Sequence, residues 1–91
     1  MQTKLTHSFV KDLRSLPLPV KKRVLETIEA CKIAESVADI PNRKSLYAKK
    51  NDNFFRIRVG DYRVGVQMIG NVLTFEMVGV RGDFYKKYPP K

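Results

Sequence analysis

The sequence predicts an α+β domain in which an N-terminal strand and a helical hairpin pack on one face of a twisted antiparallel sheet. Three observations carry this. Apolar residues recur at three- and four-residue steps between Phe9 and Cys31, the period of an amphipathic helix. From Phe54 to Val80 the period changes to two, the period of a half-buried strand. The chain has 91 residues, enough for one core and a single domain over residues 1–91.

The elements follow in order. Residues 3–7 (TKLTH) read as a short first strand. In SFVKDLRSL, Ser8 is the expected N-cap, and Phe9, Leu13 and Leu16 share a helical face. Pro17 and Pro19 end that helix and open a second, because proline is tolerated in a first turn. There Val20, Val24, Ile28 and Cys31 form the apolar stripe, Leu25 widens it, and Lys21, Lys22, Glu26, Glu29 and Lys32 take the other faces. Residues 36–52 form a connection with a turn at Pro41-Asn42. Three strands follow, FFRIRV, YRVGVQMI and VLTFEMVGV, separated by Gly60-Asp61 and Gly70-Asn71. Glycine in the first loop position suits a two-residue type II′ turn. With two such turns, Ile57, Val64 and Met77 share a row, Val66 faces Phe75, and Met68 faces Leu73, all on the core side. The tail RGDFYKKYPPK is polar and basic, with room for one helical turn.

Eighteen Lys and Arg against nine Asp and Glu give a net charge of +9, spread over both halves of the chain. Such a domain attracts phosphate backbones, anionic membranes or acidic proteins. A single cysteine, Cys31, excludes an intrachain disulfide, and one His with scattered carboxylates shows no metal-ligand spacing. No metal or other cofactor is expected. No apolar run is long enough to span a bilayer, and the first residues lack a signal-peptide stretch. The expectation is a cytoplasmic protein with no membrane partner.

The same register fixes the other sheet face. Arg58 lies across from Arg63 with Val78 next in the row, Arg56 lies across from Gly65 with Glu76 beyond, and Arg81 follows the last strand. Like charges directly opposite destabilise a sheet. Two readings account for them: an anion site, since guanidinium groups bind phosphate oxygens in pairs, or a solvated basic face that keeps the sheet soluble. The cross-strand pairing favours the anion site. His7 reads as a surface side chain, and GDYRVG lacks the spacing of a nucleotide-binding loop. Lys21, Lys22 and Arg23 are either an RNA contact or the wet side of a helix. Lys49 and Lys50 lie in a polar loop.

At these residues the chain resembles RelE-type toxins. NFFRIRVGDYRVGVQMIGNVLTFEMVGVRGDFYKK has their basic-Ile-basic strand, a Tyr-Arg opening the next strand, and a Val-Gly-x-Arg step before a terminal tyrosine. The specific part covers residues 54–85, and the order of strand, helical hairpin and loop before it also agrees. The resemblance implies an endoribonuclease that enters the ribosomal decoding site and cleaves messenger RNA by attack of the RNA's own 2′-hydroxyl, without a metal. The motif carries over to Arg56, Arg58, Arg63, Arg81 and Tyr85. Arg63 and Arg81 would neutralise the scissile phosphate. Tyr85 would stack on a base or move a proton. Lys21, Lys22, Arg23, Lys49, Lys50, Lys86 and Lys87 are the candidate contacts to RNA and ribosome. The implied partners are a cognate acidic antitoxin, the ribosome and messenger, and operator DNA only through the antitoxin.

Two departures bear on the proton. Arg56 and Arg58 stand where relatives have lysines, and arginine stays protonated. Val80 stands where many relatives have histidine. Glu76 and Tyr85 are the candidate proton carriers, with Tyr88 as a substitute for Tyr85. The simpler role for Glu76 is an ion pair with Arg56 across Gly65. Two further readings stay open: a ParE-type toxin, which shares the fold, lacks the RNA-cleaving set and inhibits DNA gyrase, and an RNA- or ribosome-binding module without chemistry.

Overall fold

A computed structural model describes residues 1–46 and 53–90. The order is β1 (Gln2–Leu5), α1 (His7–Arg14), α2 (Leu18–Ile33), a 3-10 turn (Val37–Asp39), β2 (Arg43–Leu46), β3 (Phe54–Val59), β4 (Tyr62–Ile69), β5 (Val72–Val80) and α3 (Arg81–Lys87). One five-stranded sheet runs β1-β5-β4-β3-β2.

The α+β class and the two-helix layer are as predicted, and β3, β4 and β5 have the expected bounds. The sheet, however, is mixed. β1 pairs with β5 in parallel, Gln2 beside Val72 through Leu5 beside Phe75, while β2–β3, β3–β4 and β4–β5 are antiparallel. β1 covers only the first half of β5. The chain then continues along the same edge as α1, where the Asp12 carboxylate accepts the Val78 N–H at 3.3 Å. A side chain thus satisfies a strand donor that would otherwise be orphaned.

Local chemistry corrects some details. The N-cap of α1 is Thr6, not Ser8: its hydroxyl accepts the Phe9 N–H at 3.1 Å. Leu25 does not widen the buried stripe of α2 but is 45% exposed, while Val24, Ile28 and Cys31 are buried. The segment expected to be a connection contains the 3-10 turn and edge strand β2. Both hairpin turns have positive φ at the glycine, +60° at Gly60 and +59° at Gly70, as a II′ turn requires.

The β3–β4 register is the predicted one, with Ile57 opposite Val64, Arg56 opposite Gly65 and Arg58 opposite Arg63. The β4–β5 register is the predicted one only at its far end. Val66 faces Phe75 and Met68 faces Leu73, but Gly65 faces Met77, Val64 faces Val78 and Arg63 faces Gly79. Glu76 is therefore the extra residue of a β-bulge. The bulge puts Val78, not Met77, into the main core with Ile57 and Val64.

That core lies between the sheet and the first two helices, around Phe9, Val24, Ile28, Leu73 and Phe75. The rings of Phe9 and Phe75 are tilted with centroids 5.4 Å apart. The tail is more than a polar turn. α3 packs on the opposite sheet face, where Phe54, Phe84 and Tyr88 form a second buried cluster flanked by Leu46 and Met77. Tyr88 lies flat against Gly65: a Cβ there would come 2.8 Å from its ring.

Gly65→Ala should therefore lower stability by about 1–3 kcal/mol, the usual cost of overpacking a site that cannot give way easily. Urea unfolding checks this, with a lower midpoint and an unchanged slope as the expected result.

Candidate active site

The arginine face is built on β3 and β4. Strand alternation places Arg56, Arg58 and Arg63 on the side away from α1 and α2. Arg63 is only 7% exposed. Its Nη1 donates to the Gly60 carbonyl at 2.8 Å and the Tyr62 carbonyl at 3.0 Å, so the β3–β4 turn itself holds the guanidinium. Arg56 is half-buried, and its Nη1 donates to the Asn42 carbonyl at 2.8 Å. The same carbonyl accepts the Arg58 N–H at 3.0 Å. Asn42 has φ +62°, a conformation asparagine tolerates better than most residues. Its role went unread in the sequence beyond the Pro41-Asn42 turn. Arg58 is exposed.

Among the described residues these cations have no anionic partner. Among the described residues the one ion pair is Lys32–Glu29, on α2. The Nε atoms of Arg56 and Arg63 are both buried and make no hydrogen bond to any described residue. Unmet donors on charged groups are costly, and a water molecule or an anion would supply the missing acceptors.

Tyr85 of α3 completes the cluster. It is 45% exposed. Partial burial alone would raise the pKa of its phenol, but the hydrogen-bonding reach and positive charge of Arg63 and Arg56 outweigh this and hold it below the ordinary tyrosine value. Arg81 opens α3, is exposed, and its backbone N–H donates to the Asp61 carbonyl at 3.0 Å. That bond ties the start of α3 to the turn that holds Arg63.

The other candidates for proton transfer are engaged elsewhere. Glu76 was expected across Gly65 from Arg56, but Met77 occupies that position because of the bulge. The Glu76 carboxylate instead accepts the Tyr88 hydroxyl at 2.7 Å. Tyr88 is 4% exposed, and burial, reinforced by the adjacent carboxylate, pushes its pKa well above the usual tyrosine range. It is poorly suited to replace Tyr85. Burial pushes the Cys31 thiol up to about 11, against the opposing pull of the N-terminal ammonium, so it is no thiolate nucleophile.

No family model matches the chain. A toxin named RelE3 from Methanocaldococcus jannaschii is 34% identical over 90 residues, covering 98% of this chain and 100% of the relative. The chain belongs to the RelE toxin family. A chain of the RelB–RelE antitoxin–toxin complex from Methanococcus jannaschii superimposes with a TM-score of 0.73 at 31% identity, over 94% of this chain and 99% of that one. One from the RelE–RelB complex of Pyrococcus horikoshii gives 0.71 at 25% identity, over 91% and 97%.

In this RelE-family toxin the outer basic residues are spread widely. Lys22 and Arg23 are exposed on α2 and Lys21 is half-buried there, while Lys86 and Lys87 are exposed in the last turn of α3. Lys49 and Lys50 lie outside the described residues. The Arg23 guanidinium rests over the Gly60 turn, where a Cβ would meet Nη1 at 2.8 Å. Val80 is 49% exposed at the end of β5. His7 is exposed at the start of α1. No group of three or more His, Cys, Asp or Glu among the described residues could hold a metal ion. No described helix is long and apolar enough to cross a membrane.

Tyr85 should ionise at lower pH than Tyr88, and Arg63→Gln should raise its pKa toward the ordinary value. Tyrosine-ring NMR followed against pH reads both. An unchanged Tyr85 titration in the variant would place its perturbation elsewhere.

Proposed function

We propose that this toxin is a ribosome-dependent endoribonuclease that cleaves messenger RNA and so arrests translation. The observation that carries the reading is the arginine cluster: two half-buried or buried guanidinium groups with unmet donors, no carboxylate in ion-pair contact with them among the described residues, and a phenol of lowered pKa beside them. A phosphodiester supplies the missing charge and acceptors.

In the proposed reaction the 2′-oxygen of one nucleotide attacks the adjacent phosphorus. The O2′–P bond forms and the P–O5′ bond breaks, leaving a 2′,3′-cyclic phosphate and a 5′-oxygen that takes a proton from water to become the 5′-hydroxyl. Negative charge gathers on the non-bridging oxygens in the transition state, where Arg63 and Arg81 neutralise it. Arg56 and Arg58 add charge and orientation but keep their protons. Tyr85 is the group suited to take the 2′-hydroxyl proton, because the cations beside it stabilise the phenolate. The attacking group belongs to the RNA, so the reaction calls on no metal. Lys86 and Lys87 extend the positive field along α3, and Lys21, Lys22 and Arg23 extend it on α2 for ribosomal RNA. The work site is the cytoplasm, where the ribosomes are.

Arg81→Ala should abolish growth arrest at equal protein level while leaving the domain folded, because the side chain is exposed. Loss of one transition-state contact of this kind costs about 3 kcal/mol, or roughly a hundredfold in rate. Primer-extension mapping of messenger ends after brief expression tests the reaction itself. Codon-phased cuts support it, whereas supercoiling defects with intact messenger would point to gyrase inhibition.

The partner follows from the charge. An acidic, extended antitoxin that folds on binding suits a +9 domain. Titration with the operon neighbour should stop cleavage on ribosomes near stoichiometry, with association that slows as salt rises. Tight binding that leaves cleavage intact would remove neutralisation from the model.

A further inference from the structure

Tyr88 and Glu76 take no part in the reaction proposed above, yet a hydrogen bond of 2.7 Å joins them. We propose that they form a latch that positions α3, so that the placement of Tyr85 over Arg56 and Arg63 depends on the Tyr88–Glu76 hydrogen bond and on the glycine seat beneath the Tyr88 ring. The catalytic part of this inference rests on the proposed ribonuclease reading; the positional part does not.

α3 has seven residues, too few to be stable as a helix in isolation. Its place is therefore set by what it touches. At its start the Arg81 N–H donates to Asp61. In the middle Phe84 is fully buried. At its end Tyr88 packs edge-on against Phe54, with centroids 5.6 Å apart, and beside Phe84 at 5.2 Å. Apolar packing of this kind resists separation but tolerates sliding. The Tyr88 hydroxyl on Glu76, at 2.7 Å and part-buried, supplies the directional constraint that packing lacks. Gly65 supplies the other, since the ring sits where any side chain would be.

The bulge makes the latch possible. With an unbroken register Glu76 would stand opposite Gly65 and beside Arg56. The inserted residue shifts Met77 into that position and turns Glu76 to the Tyr88 hydroxyl, as bulges commonly re-aim a side chain. One irregularity thus removes a carboxylate from the arginine cluster and uses it to hold the helix that brings Tyr85 there. Tyr88 and Glu76 are positioning residues, acting on the reaction only through Tyr85.

The test uses three variants of the full chain with 13C-labelled tyrosine rings. Tyr88→Phe removes only the hydroxyl, Glu76→Leu removes the acceptor, and Glu76→Gln keeps an acceptor without the charge. In Tyr88→Phe and Glu76→Leu the Tyr85 titration should move up toward the ordinary tyrosine value, and kcat on ribosome-bound messenger should fall about tenfold to a hundredfold, as expected for a small misplacement of a reacting group, with KM little changed. Glu76→Gln should behave like the parent in both measurements. Thermal unfolding confirms that each variant is folded at the assay temperature; should Glu76→Leu fail this, Tyr88→Phe and Glu76→Gln carry the comparison. A parent-like Tyr85 titration in Tyr88→Phe would overturn the latch. Equal loss of kcat in Glu76→Gln and Glu76→Leu would overturn it too and give the carboxylate a charge or proton role. A shifted Tyr85 titration together with a parent protein that cuts no messenger would leave the latch standing and remove the ribonuclease reading.

Discussion

The β3–β4 register is the constraint on which the rest depends. Gly60 at φ +60° closes the turn, and from there alternation sends Ile57, Val59, Val64 and Val66 into the core and Arg56, Arg58 and Arg63 to the other face. A slip of one residue would exchange the two sets. Backbone oxygens reduce the cost of placing Arg58 opposite Arg63. The Gly60 and Tyr62 carbonyls take Arg63, and the Asn42 carbonyl takes Arg56. These dipoles stabilise the guanidinium groups without cancelling their charge, so the face stays cationic while partly desolvated. Desolvation strengthens the field a bound phosphate would feel.

The bulge at Glu76 protects that charge. A carboxylate about 4 Å from a guanidinium near a protein surface attracts it by about 4 kcal/mol at an effective dielectric constant of about 20, less the cost of desolvating both. Such a pair would compete with any phosphate. Diverting Glu76 to Tyr88 leaves Arg56 and Arg63 free of it. The same shift exchanges Met77 for Val78 in the main core, so that the apolar count on that face is kept while the polar face is rearranged.

The sheet is covered unequally. α1 and α2 seal one face with most of the buried apolar residues. The other face carries, among the described residues, the smaller cluster of Phe54, Phe84 and Tyr88, beside which Arg58 is exposed, Arg56 half-buried and Arg63 nearly buried. This division places most of the buried apolar core and the arginine cluster on opposite sides of one sheet. Substitutions at Arg58 or Arg81, both exposed, can alter the site without touching the core, whereas Arg63 and Gly65 belong to both.

Much of the protein was legible in the sequence. The change of period from 3.6 to 2, the prolines between the helices and the glycines at 60 and 70 determined the helical hairpin, the three long strands and the β3–β4 register, because each rests on local backbone chemistry. The arginine face followed from that register, and the toxin resemblance from the residues on it. Other features lay beyond local reasoning. The parallel pairing of β1 depends on where α1 leaves the sheet edge. The four residues of β2 have no alternation of their own and form a strand because β3 offers an edge. The bulge reflects a choice between Met77 and Val78 for one core position, two apolar residues that pattern alone does not separate. The docking of α3 follows from Phe84 and Tyr88, whose neighbours in the tail are polar and basic. In each case the deciding contact is between residues distant in the chain, and only the tertiary structure brings them together.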